Sequence, residues 1–298
     1  MSYPFYIIDV FAIDRYTGNQ LAVFPEAKGL SDRAMQALAK EINFSETTFI
    51  TKSDPADNCY GVRIFTPNQE LPFAGHPTLG TAYIIREYLM SSAEKEQSKA
   101  VILDLKAGKI PVSSGTTPQG EAVLWMQQNS PQFGETIAAD QIASVLNIDA
   151  SEIDCNFPIQ EVSTGLDFLI IPVKTLKTLK QIQVNLEAYY QLIASLNAKS
   201  LFVFCPETYS PENDLCARMF SDYLGVPEDP ATGSANGCLA AYLVKYNMLS
   251  SQKEMLQVRV EQGYEIKRPS LLLLKASSNQ IEVGGQVKTI AQGYFLSD

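Results

Sequence analysis

The sequence predicts an α+β fold built from two matched halves, each a curved sheet wrapped around one central helix. Three observations lead to this prediction. Short runs rich in Val, Ile, Phe and Tyr recur along the chain and predict strands. Two helical segments, at about 77–90 and 234–246, are apolar on all sides, which is typical of buried helices. Each of these helices also follows a segment with a similar order of residue types.

The predicted strands outnumber the predicted helices. Some of the strand-like runs alternate with period two, as Leu256, Val258 and Val260 do. A further helix is predicted over 31–43, where Ser31 can cap the first turn, and another over 186–197. The predicted strands are 5–13, 46–51, 60–65, 100–105, 121–126, 167–173, 200–205, 256–262 and 270–276.

The two similar segments are RIFTPNQELPFAGHPTLGTAYII, which starts at Arg63, and RMFSDYLGVPEDPATGSANGCLAAYLV, which starts at Arg218. Both contain Arg, an apolar residue and Phe, then a loop with an acidic residue and Pro, then Gly and the apolar helix. Duplication of one half would explain this order, although few positions are identical and chance similarity is the alternative. The polar stretch 113–121 is the best candidate for the boundary between the halves.

Composition and charge restrict the classes of function. The 298 residues are 46% apolar and 19% charged, as in ordinary folded proteins, and this length favours two domains. A net charge of −10 opposes binding to nucleic acid or to an anionic membrane surface. No run reaches the roughly 18 apolar residues that span a bilayer, and the N-terminus lacks the basic segment of a secretory signal. We therefore expect a soluble, cytoplasmic protein.

Cysteine and histidine counts argue against a structural metal site or a disulfide framework. The five cysteines are widely spaced and contain no C-x-x-C pair. His76 is the single histidine of the chain, which excludes metal sites that need two imidazoles. We therefore expect reduced thiols and no metal.

The starts of the two apolar helices are candidate binding sites. In FAGHPTLG (73–80) and EDPATGSANG (228–237), small residues leave the first-turn amides uncovered. Such amides, together with the helix dipole, attract a carboxylate or an enolate-like oxygen. An ordinary capped helix start is the alternative interpretation of each segment. The loops lack the Lys of a P-loop and the G-x-G-x-x-G of a dinucleotide fold, so nucleotide binding is not favoured.

Three side chains are candidates for acid–base or binding chemistry. Glu46 stands at the head of a predicted strand, where a solvent-facing role is the alternative. His76 lies at the start of the first apolar helix and fits a capping or core histidine equally well. Asp229 precedes the second apolar helix and could simply form an Asx-turn. A carboxylate that moves protons near neutral pH needs a pKa above its ordinary value of about 4.3, and burial is the usual cause.

Four segments resemble the signature segments of the phenazine-biosynthesis PhzF-like isomerase family: NFSETTFI (43–50), FTPNQELPFAGHPTLG (65–80), EDPATGSANG (228–237) and VGGQV (283–287). The resemblance extends over essentially the whole chain. It implies a diaminopimelate epimerase-like fold with two pseudo-symmetric halves, each a β-barrel-like sheet around a central helix, and an active site in the cleft between them. It also implies that the C-terminus returns to the first half, so that the halves are 1–117 plus 287–298 and 118–286. Family members are typically homodimers.

The resemblance also implies roles for individual residues. Glu46 matches the general acid/base of a cofactor-independent proton shift, His76 matches a residue that orients the substrate or relays its proton, and Asp229 matches one that positions the substrate's polar groups. The family reaction isomerises trans-2,3-dihydro-3-hydroxyanthranilate, so the expected partner is a small carboxylate metabolite, with no cofactor. The implied substrate-binding residues are Ser45, Gly75, Gly233 and Ser234.

Two other functions stay open on the sequence. The first is an amino-acid racemase or epimerase, whose relatives carry a cysteine at each helix start. In this chain Ala74 and Thr232 precede the helix-start glycines, and Cys238 lies more than a turn into its helix, where packing is expected. One-base chemistry through Glu46 therefore fits better than a two-thiol mechanism. The second is a binding protein that has kept the fold without turnover.

Overall fold

The structure is a computed structural model that describes residues 2–54, 57–117, 120–249 and 255–296. Contacts divide the chain into two compact units: unit 1 is Met1–Gln127 with Gly284–Asp298, and unit 2 is Gln128–Val283. The sequence-based boundary after residue 117 separates the strand Ala122–Gln127 from Gly108–Thr116. These two strands pair antiparallel, which accounts for their place in the same unit.

Strands of the described residues are numbered in chain order, and so are the α-helices. The strands are β1 (Ser2–Val10), β2 (Asn19–Phe24), β3 (Thr47–Asp54), β4 (Cys59–Phe65), β5 (Glu70–Leu71), β6 (Ala100–Leu105), β7 (Gly108–Thr116), β8 (Ala122–Gln127), β9 (Gln132–Ile137), β10 (Ile159–Ser163), β11 (Asp167–Pro172), β12 (Ser200–Cys205), β13 (Leu215–Ser221), β14 (Val226–Asp229), β15 (Leu256–Gln262), β16 (Ser270–Ala276), β17 (Ile281–Gly285) and β18 (Val287–Leu296). The helices are α1 (Asp32–Ile42), α2 (Gly75–Ile84), α3 (Ser92–Gln97), α4 (Ala139–Leu146), α5 (Leu176–Gln181), α6 (Leu186–Ala194) and α7 (Gly233–Lys245).

Every segment predicted as a strand overlaps an observed strand, and each predicted helix is present. The first apolar helix differs at its end, because α2 stops at Ile84 and a π-helical turn continues over Ile85–Leu89. The sequence analysis missed short or polar elements, including β5, β14 and α3. It also missed β13, whose apolar pattern Arg218 interrupts although that side chain is buried.

The two units have the same strand connectivity. In unit 1, β1 and β2 are antiparallel, β2 runs parallel to β3, β3 and β4 are antiparallel, and β4 runs parallel to β6, which pairs antiparallel with β7. In unit 2, β10, β11, β12, β13, β15 and β16 repeat this series of antiparallel and parallel pairs in the same order. This repetition confirms the predicted α+β fold with two pseudo-symmetric halves.

Each unit contains one of the two predicted buried helices. Helix α2 packs against β1, β2, β3, β6, β7 and β8 of unit 1, while α7 packs against β10, β11 and β16 of unit 2. Close packing explains Gly80 in the middle of α2, because a Cβ there would lie 2.7 Å from Leu21 Cδ2 and 2.8 Å from Val10 Cγ2. The strands therefore surround a helix that has no solvent-facing side, as the sequence predicted.

The arginine that begins each repeated segment binds the acidic residue of the following loop. Arg63 on β4 donates two hydrogen bonds to Glu70 on β5, at 2.8 and 2.7 Å. Arg218 on β13 donates in the same bidentate way to Glu228 on β14, at 3.0 and 2.7 Å. Bidentate arginine–carboxylate pairs are strong and geometrically specific. The pairs hold β5 and β14 in place, and each of these strands leads directly to the start of a buried helix.

Helix α1 packs against β3 and β4 of unit 1. The Ser31 hydroxyl accepts a hydrogen bond from the amide of Ala34 at 3.2 Å, so it caps α1 as the sequence predicted. On the buried face of the helix, Met35 packs with Phe49 in a small hydrophobic core. This packing fixes β3 and thereby the position of Glu46, which immediately precedes that strand.

Candidate active site

In unit 1, the start of α2 meets the start of β3. His76 is the second residue of α2, and Glu46 directly precedes β3. The Nε2 atom of His76 lies 3.4 Å from Oε2 of Glu46. The exposed fraction is 6% for the His76 side chain and 17% for the Glu46 side chain. The structure therefore joins two of the predicted catalytic residues in one largely buried pair.

Asn19, the first residue of β2, connects His76 with Ser45. Its Nδ2 atom lies 3.2 Å from Nδ1 of His76, and its Oδ1 atom accepts a hydrogen bond from the Ser45 hydroxyl at 3.5 Å. Because an amide nitrogen only donates, Nδ1 acts as the acceptor when Asn19 is oriented in this way. This contact favours the Nε2–H tautomer, although Nε2 makes no hydrogen bond to Glu46 at 3.4 Å, and the backbone carbonyl of Gln20 competes for the imidazole proton. Ser45, a predicted substrate-binding residue, contacts the pair through Asn19.

Burial controls the charge of His76. Loss of solvent lowers the pKa of the imidazole to about 3, and a hydrogen bond with the backbone carbonyl of Gln20 opposes this shift without cancelling it. Desolvation disfavours the charged form of a histidine, which explains the direction. His76 is therefore neutral near pH 7, and a neutral imidazole can donate one proton to a carboxylate or a substrate oxygen.

This assignment predicts a simple nuclear magnetic resonance result, because His76 is the single histidine of the chain. With ¹⁵N-labelled histidine, we expect one imidazole in the Nε2–H tautomer between pH 8 and 5, since a pKa of about 3 lies below that range. Replacing Asn19 with leucine removes the amide donor and should mix the tautomers. A titration midpoint near 6.5 would contradict the lowered pKa. A proton on Nδ1 would contradict the tautomer and would show that the imidazole donates to the carbonyl of Gln20 instead.

In unit 2, the segment before α7 holds the predicted residue Asp229. This last residue of β14 is 7% exposed. The Thr232 hydroxyl donates a hydrogen bond to Oδ2 of Asp229 at 2.5 Å. Gln262, at the end of β15, donates to the backbone carbonyl of Asp229 at 2.9 Å. Asp229 is thus held by side chains from its own loop and from a neighbouring strand, in addition to its backbone pairing with Met219.

Neither buried helix has a side-chain cap at its first turn. The N-cap residue of α2 is Ala74, which has no side-chain acceptor, and the hydroxyl of Thr232, the N-cap of α7, makes no capping bond. The predicted binding residues Gly75, Gly233 and Ser234 form the first turns and are buried. Helix ends that are buried without caps are suited to bind an anion, because the first-turn amides point outward along the dipole.

Cys238 is a packing residue in α7. It is fully buried, and its sulfur lies 3.6 Å from the hydroxyl of Thr164. Burial raises the pKa of this thiol to about 12, so it stays protonated near neutral pH. Ala74 and Thr232 occupy the positions where a two-thiol racemase would need cysteines. These observations weigh against the racemase alternative.

The sequence analysis predicted no functional role for three residues of these clusters: Asn19, Thr232 and Gln262. Asn19 and Gln262 are polar residues at the ends of strands β2 and β15, and both are nearly or fully buried. Each also adjoins a glycine with positive φ, Gly18 at +72° and Gly263 at +80°. A buried polar residue beside such a glycine is the signal that could have found them, because the glycine permits a close backbone approach.

Two further properties concern membranes and metals. Among the helices of the described ranges, none is both long and apolar enough to cross a membrane. The described part of the chain also contains no group of three or more His, Cys, Asp or Glu side chains arranged to hold a metal ion. The expected homodimer and cytoplasmic location stay predictions.

Known proteins with similar sequence and structure define the chain as an isomerase. An uncharacterized isomerase of Clostridium acetobutylicum is 32% identical over 91% of this chain and 88% of its own length. A trans-2,3-dihydro-3-hydroxyanthranilate isomerase of Pseudomonas aeruginosa is 30% identical over 96% of this chain and 97% of its own length. The crystal structure of a Bacillus anthracis phenazine biosynthesis protein of the PhzF family matches 100% of both chains with a TM-score of 0.90 and 28% identity.

The chain belongs to the phenazine biosynthesis-like protein family, whose sequence profile matches residues 8–293. The resemblance that the signature segments indicated is thereby confirmed, and so is the fold class.

Proposed function

We propose that this isomerase moves a proton between carbon atoms of a small carboxylic acid without a cofactor, with Glu46 as the general acid/base. The observation that carries the proposal is the contact of the largely buried Glu46 carboxylate with the neutral imidazole of His76, at 3.4 Å. Acid–base groups are effective in partly desolvated sites, where their pKa can approach the pH at which the enzyme works.

In the proposed reaction, the ionised carboxylate of Glu46 removes a proton from one carbon of the substrate. The electron pair of the broken C–H bond delocalises into the conjugated system of the substrate, and the double bond shifts. Protonated Glu46 then returns the proton to a different carbon, so the enzyme ends in its initial state. The imidazole of His76, with Nε2 3.4 Å from Oε2 of Glu46, limits the space open to the carboxylate, and its Nε2–H group can donate to an oxygen of the substrate.

Asp229 is the third predicted catalytic residue and positions the polar groups of the substrate, while the other predicted residues bind the substrate. The uncapped first turns at Gly75 and at Gly233 and Ser234 supply amide donors that stabilise a carboxylate or a developing enolate oxygen. Asp229 accepts hydrogen bonds from the polar groups of the substrate. The local field of the helix ends explains how a chain of net charge −10 can bind an acid.

A trans-2,3-dihydro-3-hydroxyanthranilate type of substrate has the best support. The Pseudomonas aeruginosa relative, 30% identical, is named for the isomerisation of this compound, and the similarity covers almost the whole of both chains. Conversion of this substrate would require removal of a ring proton and its return elsewhere on the ring, which one carboxylate can perform.

Deuterium exchange tests the proposal. We expect the protein, incubated in D₂O with trans-2,3-dihydro-3-hydroxyanthranilate, to form the isomer, which ¹H NMR detects. Mass spectrometry should find deuterium at the ring carbon that receives the proton, because the carboxyl proton of Glu46 can exchange with solvent before it is returned. Amino acids and other anthranilate-like acids serve as parallel substrates. Deuterium at an amino-acid α-carbon would support the racemase alternative instead, and binding with neither isomerisation nor exchange at any carbon would support a non-catalytic binding protein.

A further inference from the structure

We propose that Thr232 and Gln262 are positioning residues that hold the Asp229 carboxylate in one orientation for the substrate. The proposal rests on the proposed role of Asp229 in substrate binding. It concerns a chain of hydrogen bonds from the end of β15 through Thr232 to Asp229, and each donor in that chain can be assigned.

The backbone determines the orientation of the Gln262 amide. The N–H group of Thr232, which can only donate, faces Oε1 of Gln262 at 3.2 Å. The carbonyl of Asp229, which can only accept, faces Nε2 at 2.9 Å. Rotating the amide by 180° would place Nε2 against the N–H donor of Thr232 and Oε1 against the carbonyl acceptor of Asp229. Only one orientation of the amide therefore satisfies both contacts. Gln262 is fully buried, which makes an unsatisfied orientation costly.

This orientation in turn determines the proton of the Thr232 hydroxyl. Nε2 of Gln262 donates to Oγ1 of Thr232 at 3.1 Å. The hydroxyl proton therefore points to Oδ2 of Asp229, at 2.5 Å, which is the short distance expected for a hydroxyl bound to a carboxylate. Gln262 thus acts on the carboxylate through Thr232, and the carboxylate is oriented before any substrate arrives.

Asn236 completes the network from the first turns of α7. Its Nδ2 atom donates to the carbonyl of Thr232 at 3.0 Å and to Oε1 of Gln262 at 3.1 Å. The side chain is fully buried, so it fixes the Thr232 backbone as well as the Gln262 amide. A threonine at an N-cap position normally stabilises its helix by accepting a first-turn amide bond. Thr232 makes no such bond, and its hydroxyl serves Asp229 instead.

The decisive experiment is a double-mutant cycle between Thr232→Val and Asp229→Asn. Valine keeps the shape of threonine but has no hydroxyl to donate. We expect Thr232→Val to lower kcat of the deuterium exchange reaction with trans-2,3-dihydro-3-hydroxyanthranilate about 10- to 100-fold, with KM changed less than threefold. Thr232→Ser retains the hydroxyl and should restore kcat to within about threefold of wild type. In the Asp229→Asn background, Thr232→Val should cause no further loss, because its effect passes through the carboxylate.

Two additional variants separate positioning from stability. Gln262→Met removes both amide groups and should lower kcat about tenfold, since the Thr232 hydroxyl is then free to rotate. Ser200→Ala is the matched control, because the Ser200 hydroxyl is also buried in unit 2 and bonds Ser221 at 2.9 Å. It should lower thermal stability and leave kcat unchanged.

The outcomes distinguish this inference from the proposed function. If Asp229→Asn strongly lowers kcat while Thr232→Val and Gln262→Met behave as wild type, the positioning role is overturned and the role of Asp229 stands. If Asp229→Asn itself retains wild-type kcat, the proposed function of Asp229 fails. In that case the double-mutant cycle is measured as the free energy of unfolding in urea. Additive losses of stability for Thr232→Val and Asp229→Asn would then show that the two side chains are not coupled, which overturns the positioning role.

Discussion

Replacement of Glu46 with glutamine should lower kcat/KM for proton transfer by about a thousandfold or more, which corresponds to about 4 kcal/mol of transition-state stabilisation. Glutamine cannot take up the substrate proton. Glutamine has nearly the same shape as glutamate, so it fits the space beside His76 Nε2, which now lies 3.4 Å from Oε2, and the fold should be unchanged. Deuterium exchange with trans-2,3-dihydro-3-hydroxyanthranilate gives the rate, and circular dichroism checks the fold.

The matched control is Glu41→Gln, the same chemical change at an exposed position of α1 in the same unit. It should leave kcat/KM unchanged. Glu46→Asp keeps a carboxylate but withdraws it by one methylene, so intermediate activity is expected. A Glu46→Gln variant that turns over within tenfold of wild type would remove Glu46 from the role of acid/base.

Replacement of Gly263 with alanine should lower the free energy of unfolding by about 3 kcal/mol. Gly263 has φ of +80°, a conformation that costs an L-residue about 1–2 kcal/mol. A Cβ at this position would also lie 2.4 Å from the carbonyl oxygen of Arg268 and 2.6 Å from that of Pro230. Backbone must move to relieve these overlaps, and such overpacking typically costs a further 1–3 kcal/mol.

Gly225→Ala provides the control for this measurement. Gly225 belongs to the same unit and has φ of +76°, but a Cβ there would meet nothing within 4 Å. Urea denaturation of the two variants therefore separates the conformational cost from the steric cost. Equal losses of stability would show that the close approach of β15 to the Asp-Pro loop is unimportant. The Gly263→Ala variant should also have a lower kcat, because the backbone shift would displace the neighbouring Gln262.

The chain sequence alone determined the local elements and the identity of the main candidates. Apolar periodicity and β-branched runs predicted the strands, and the helices without a polar face were correctly expected to be buried. These features are local, because the spacing of apolar side chains within a segment indicates which side of that segment faces the core. The repeated order of residue types beginning at Arg63 and Arg218 likewise anticipated two units with the same strand connectivity. Glu46, His76 and Asp229 were singled out because they lie in segments that resemble the signature segments of the family.

Only the tertiary structure decided which groups act together. The contact of Glu46 with His76 joins residues that are not adjacent in sequence, and Asn19, which contacts Nδ1 of the imidazole, lies on a third element. Gln262 reaches Thr232 because β15 runs parallel to β13. The physical reason is that hydrogen-bond partners of buried polar groups are chosen by distance in three dimensions. The sequence shows that a polar residue is present, whereas burial and strand pairing decide which atom becomes its hydrogen-bond partner.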